Sequence, residues 1–174
     1  MITVALSATI GAPTERVWQA LTDPNERVTW DDRVLGIVES VSHGANQGAN
    51  RTRPRVRPSS PNRTNERRSS SVTKWRFRLG GVPLVMHDET LADEPTERRV
   101  SRISIGSMRF DQTLMLRRED DGNGPRTQLS MKLVAHNRIA VIGEVVERLD
   151  VQKIIIEYVD ATLRQVQKYC EADA

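Results

Sequence analysis

The sequence predicts an α+β fold. A curved antiparallel sheet of about seven strands carries a long C-terminal helix across it, and two short helices follow the first strand. Three observations predict this. First, between Arg138 and Cys170 the residues Ile142, Val145, Val146, Leu149, Ile156, Val159, Leu163, Val166 and Cys170 recur at helical spacing, with one gap, as one apolar face. Second, most of the chain before Arg138 alternates apolar and polar residues with period two, the pattern of strands with one buried face. Third, short clusters of turn-forming residues separate these stretches, which suits antiparallel pairing. A sheet of alternating polarity needs cover on one face only, and the terminal helix supplies it.

Ile2, Val4, Leu6, Ala8 and Ile10 alternate with Thr3, Ala5, Ser7 and Thr9, giving the first strand, which Gly11 ends. Pro13 suits a first helical position and Glu15 a helix N-terminus, so Val17, Trp18 and Leu21 become the stripe of a helix over 13–22. Asp23-Pro24 ends it and starts a second short helix to about Val28, followed by Trp30 and a strand from about Arg33 to Ser42. Strands resume at Val72, with Thr73, Trp75, Phe77 and Leu79 on one side and Lys74, Arg76 and Arg78 on the other. Gly80-Gly81 is a tight turn into a strand from Val82 to about Leu91, whose inward set the pattern leaves open. After the turn Asp93-Glu94-Pro95-Thr96, Ser101, Ile103 and Ile105 align, then Met108, Phe110, Gln112, Leu114 and Leu116. Asp120 to Pro125 is the clearest hairpin loop, and Leu129, Met131, Leu133 and Ala135 share a face of the last strand. At ~1.5 Å per residue an unbroken terminal helix would span roughly 50 Å. That is long for a small domain, so a break is expected near Leu149-Asp150, with Asp150 capping a second segment.

The length of 174 residues suits one domain with a real core. Residues 44–71 differ in kind, being rich in Arg, Ser, Asn and Pro with few apolar residues, and read as a flexible insertion between two strands. Arg51, Arg53, Arg55, Arg57, Arg63, Arg67 and Arg68, against Glu66 alone, give it +6; the whole chain carries +3, so the rest carries −3. These arginines are a candidate contact for phosphates of nucleic acid or anionic lipid, and the absence of aromatic residues speaks against base stacking. The alternative is a solvated insertion with no partner. No apolar run approaches a membrane span and no secretory signal is visible, so a cytoplasmic location is expected. Cys170 is the only cysteine, which excludes an intramolecular disulfide. His43, His87 and His136 are scattered, so neither a metal-ligand spacing nor a bound cofactor is expected. His87 and Asp88 are adjacent on a strand and face opposite ways, so they form no local acid–base pair.

Trp30, Trp75, Phe77, Met86, Phe110, Gln112, Leu114, Met131 and Leu133, with Ile142, Val146 and Leu149 of the helix, either line a ligand cavity or fill a core. Gln112 on an apolar face needs a partner from protein, water or ligand. In the gap of the helix stripe, Gln152 or Lys153 either snorkels at the rim or points inward.

Several strings resemble the START-like (SRPBCC) superfamily of the polyketide cyclase/dehydrase and lipid-transport type. They are Ala12-Pro13 through Val17-Trp18, Ala20 to Pro24, Trp30, Trp75-Arg76-Phe77 with Gly80 to Leu84, and the ending Leu163 to Tyr169. The resemblance covers the chain except 44–71. It implies a helix-grip fold, a sheet wrapped around the C-terminal helix with an apolar cavity between them. It further implies binding of a small apolar or amphipathic molecule, or cyclase/dehydrase-type catalysis in the same cavity. It brings no catalytic motif, and no catalytic residue is assigned.

Overall fold

The computed structural model describes residues 1–42, 70–79, 81–136, 139–141 and 148–172. Strand β1 (Ile2–Ile10) leads into helices α1 (Thr14–Thr22) and α2 (Pro24–Trp30). Six strands follow: β2 (Val34–Ser42), β3 (Ser71–Leu79), β4 (Val82–Glu94), β5 (Arg98–Ile105), β6 (Met108–Asp120) and β7 (Pro125–Ala135). Short strands β8 (Ile139–Val141) and β9 (Arg148–Asp150) pair with each other and precede helix α3 (Val151–Ala172). The main sheet has the order β1-β7-β6-β5-β4-β3-β2, so a six-stranded meander is closed on one side by β1, which returns antiparallel to β7. Helix α3 lies against β1 and β7, and α1 and α2 bridge between helix and sheet.

Period two fixes which side chains enter the core. Trp75 and Phe77 on β3, Ile103 and Ile105 on β5, Met108, Phe110, Leu114 and Leu116 on β6, and Leu129, Met131 and Leu133 on β7 are all buried. The open question on β4 resolves to Met86, Asp88 and Thr90 inward and His87 outward. β1 is an edge strand with softer burial, and its inward Leu6 stays 38% exposed. Met115 points away from the core and is also exposed. The β3–β4 turn uses Gly81 at φ +86°, a left-handed conformation that suits glycine.

The sequence predicts one apolar helix from Arg138, and the structure corrects this. Ile139–Val141 is extended, and the helix begins after Asp150, whose carboxylate accepts from Gln152 N at 3.0 Å. The cap therefore falls where a break was expected, and the described residues before it, 139–141 and 148–150, are extended and not helical. Within α3 the predicted Val159, Leu163, Val166 and Cys170 are buried, joined by Val151, Ile155, Tyr158 and Thr162, while the predicted Ile156 is 41% exposed. Gln152 and Lys153 are exposed. A second correction concerns Pro13, which sits at the N-cap of α1 and not inside it. The predicted insertion with Arg51, Arg53, Arg55, Arg57, Arg63, Arg67 and Arg68, together with His43, Ile142 and Val146, lies outside the described residues.

Candidate functional site: a polar chamber between α2, α3 and the sheet

Helix α2 builds one wall. Asp23 accepts from Asn25 N at 2.8 Å and Pro24 occupies its first turn, which fixes where the helix starts. Arg27, Trp30 and Asp31 follow at steps of three and one, so all three face inward. Trp30 is held by its indole N–H on Ala20 O at 2.8 Å.

Asp31 is fully buried and is the hub of an ionic network. Arg33 grips it with Nε on Oδ1 at 2.8 Å and a terminal nitrogen on Oδ2 at 3.0 Å, while Arg27 Nε reaches Oδ2 at 3.3 Å. Burial pushes the Asp31 carboxyl up, but Arg27 and Arg33 outweigh burial and hold it below its ordinary value. Burial likewise works against the Arg27 charge, yet Tyr158, Asp31 and Asp88 raise its pKa above the usual value, so it stays protonated. Arg33 also donates to Tyr158 O at 3.0 Å and Thr162 Oγ1 at 2.8 Å, and so ties the α2–β2 corner to the middle of α3.

Arg27 donates to the Tyr158 phenol oxygen at 3.0 Å and forms an ion pair with Asp88 at 3.8 Å. Its guanidinium lies over the Trp75 ring at 5.1 Å. From the sheet, Arg99 donates to Thr90 Oγ1 at 2.5 Å. These groups surround a small void of about 20 Å³ lined by Leu21, Arg27, Trp30, Asp88, Arg99, Gln112, Leu114, Met131, Tyr158 and Thr162. By volume it has room for about one water.

Of the residues the sequence marks as cavity candidates, Trp30, Gln112, Leu114 and Met131 line this void. Trp75, Phe77, Met86, Phe110 and Leu133 are packed in the surrounding core. Leu149 falls in β9, away from the helix to which the stripe assigned it. Sequence reasoning missed Leu21, Arg27, Asp88, Arg99, Tyr158 and Thr162. For Asp88 a signal existed, because it shares the parity of Met86 on β4. The histidines are elsewhere: His87 is exposed, and His136 sits 3.7 Å from Asp111 where both side chains are open to solvent. Among the described residues, no three His, Cys, Asp or Glu side chains cluster as a metal site, and no helix is long and apolar enough to cross a membrane.

A bent antiparallel sheet gripping a C-terminal helix defines the helix-grip class. The chain matches the family described as polyketide cyclase / dehydrase and lipid transport over residues 1–171, and it belongs to that family. Solved structures agree on the fold. A START superfamily protein from Mycobacterium smegmatis is 13% identical, with a TM-score of 0.67 and 99% of each chain covered. The Zhui aromatase/cyclase from Streptomyces sp. R1128 is 14% identical, with a TM-score of 0.63, covering 98% of this chain and 93% of that one. A protein of Thermus thermophilus is 17% identical, with a TM-score of 0.61 and 99% of each chain covered. No curated protein sequence matches the chain.

Proposed function

We propose that the protein binds a small amphipathic molecule in the chamber between sheet and α3, for transport or sequestration in the cytoplasm. The observation that carries this reading is the lining itself: Leu21, Trp30, Leu114 and Met131 offer an apolar wall, and Asp88, Gln112, Arg27 and Tyr158 converge as polar groups on the same space. A filled core would carry apolar residues at these positions. Apolar burial at ~25 cal/mol per Å² would supply affinity and the polar end orientation. The void of about 20 Å³ is far below the volume of a drug-sized ligand, so binding requires α3 or the α1–α2 wall to move outward.

A thermal-shift series with fatty acids, quinones and aromatic polyketides tests the reading. Ligands that bind only the folded state raise Tm with concentration, and a flat response to every class refutes it. A cyclase- or dehydrase-type reaction in the same chamber has a narrower basis. Tyr158 and Asp88 are the ionisable groups besides the arginines that line it. Asp88, however, meets a guanidinium at ion-pair distance and is not joined to a proton donor by a hydrogen bond.

A further inference from the structure

Among the described residues, four buried polar atoms have no hydrogen-bond partner: Trp75 Nε1, Asp88 Oδ1, Ser101 Oγ and Gln112 Oε1. They sit on four successive strands, β3, β4, β5 and β6, all on the inward face. Ser101 and Gln112 are direct cross-strand neighbours, and Asp88 lies one row away. Native interiors leave few such atoms unpaired, so a patch of them points to a missing partner. Asp88 and Gln112 also line the chamber, and both of their open atoms are acceptors. The missing partner is therefore a hydrogen donor.

Charge narrows its chemistry. A carboxylate or phosphate brings no hydrogen and would face the Asp88 carboxylate in a closed space. An ammonium group would bring hydrogens but would face Arg27 and Arg99, which line the same void. Arg27 cannot relieve this by losing its proton, because its pKa is raised. A neutral hydroxyl meets every condition, since it donates to an acceptor and accepts from a guanidinium or phenol.

We propose that Asp88 and Gln112 form a hydroxyl-reading subsite, and that the ligand is a neutral apolar molecule whose alcohol or phenol group enters first. The ligand hydroxyl enters the water-sized void, and its carbon skeleton lies along Leu21, Trp30, Leu114 and Met131. This rests on the chamber being a binding site, as proposed above.

Calorimetric titration of the full chain with 2-naphthol, 2-methoxynaphthalene and 2-naphthoate separates the two ideas. The naphthol should bind about tenfold or more tighter than its methyl ether, which fills the same space without a hydrogen to give. The naphthoate should bind weakest. In Asp88→Asn the order changes: the amide offers a donor and no charge, so naphthoate gains affinity and the naphthol preference shrinks. Gln112→Met, close in size, should also shrink that preference, and serves if the Asp88 variant fails to fold. Naphthol and ether binding alike, or a preference unchanged in the variants, overturns the hydroxyl subsite and leaves the chamber as a binding site. No binding by any of the three overturns both.

Discussion

The inner face of the sheet has two dissimilar halves. Across β6 and β7, Met108, Phe110, Leu114, Leu116, Leu129, Met131 and Leu133 pack with only Gln112 and Thr127 among them as polar residues. Across β3 to β5 the same face carries Thr73, Asp88, Thr90 and Ser101, and α2 and the chain leading into β2 add Arg27, Asp31 and Arg33 above it. The first half is held by dispersion and burial. The second adds to its own apolar residues, Trp75, Phe77, Met86, Ile103 and Ile105, a set of buried polar and charged groups, in which Asp31 is paired with Arg27 and Arg33. The difference teaches that one face of a sheet can be nearly all apolar on one side and carry a polar network on the other.

The two halves should respond differently to substitution. Asp31→Ala leaves Arg27 and Arg33 facing each other without their shared carboxylate, and should cost about 3–5 kcal/mol of unfolding free energy in a denaturant titration. A cost near that of an exposed ion pair, below about 1 kcal/mol, would show that the network holds little of the fold. Acid should find the same half first. The Asp31 pKa is lowered in the fold from 3.8, so its contribution is complete above that value. It is lost as pH falls through the folded-state pKa. Unfolding followed from neutral to acid pH should show this decline, and Asp31→Asn should flatten it. On the apolar side the smallest effect is expected. Thr127 is fully buried and donates to Ala12 O at 2.8 Å, so Thr127→Val should cost about 1 kcal/mol, with no dependence on pH.

The same division governs what could be read from the chain in advance. The apolar half follows from parity: every inward residue named for β6 and β7 is buried. The caps at Asp23 and Asp150 and the loop from Asp120 to Pro125 were also readable, because local chemistry alone fixes them. Apolar spacing alone does not separate the extended segments Ile139–Val141 and Arg148–Asp150 from the helix that follows, because three-residue strands are too short to show a period of their own. The polar half was mostly hidden. Arg27, Asp31 and Arg33 read as solvated charges in one dimension, and only the docking of α2 and α3 onto the sheet turns them inward. Tyr158 and Thr162 share the buried face of Val159, Leu163 and Val166, but a stripe drawn from strictly apolar aliphatic positions passes over them.

Among the described residues, the hydrogen bonds that tether α3 to the sheet and to the α1–α2 wall all fall at or beyond Tyr158. Arg27 and Arg33 hold it at Tyr158 and Thr162, Gln165 exchanges two hydrogen bonds with Asp32, Gln167 reaches Thr9 O, and Glu171 accepts from Gly11 N. The last four turns, by about 3.6 residues each, are thus moored, while the first two rest on the greasy contacts of Val151 and Ile155. A rod fastened this way lifts most easily as a lever from its amino end. Tyr158 then sits at the fulcrum, where displacement is least, so its contacts with Arg27 and Arg33 persist while the amino end rises.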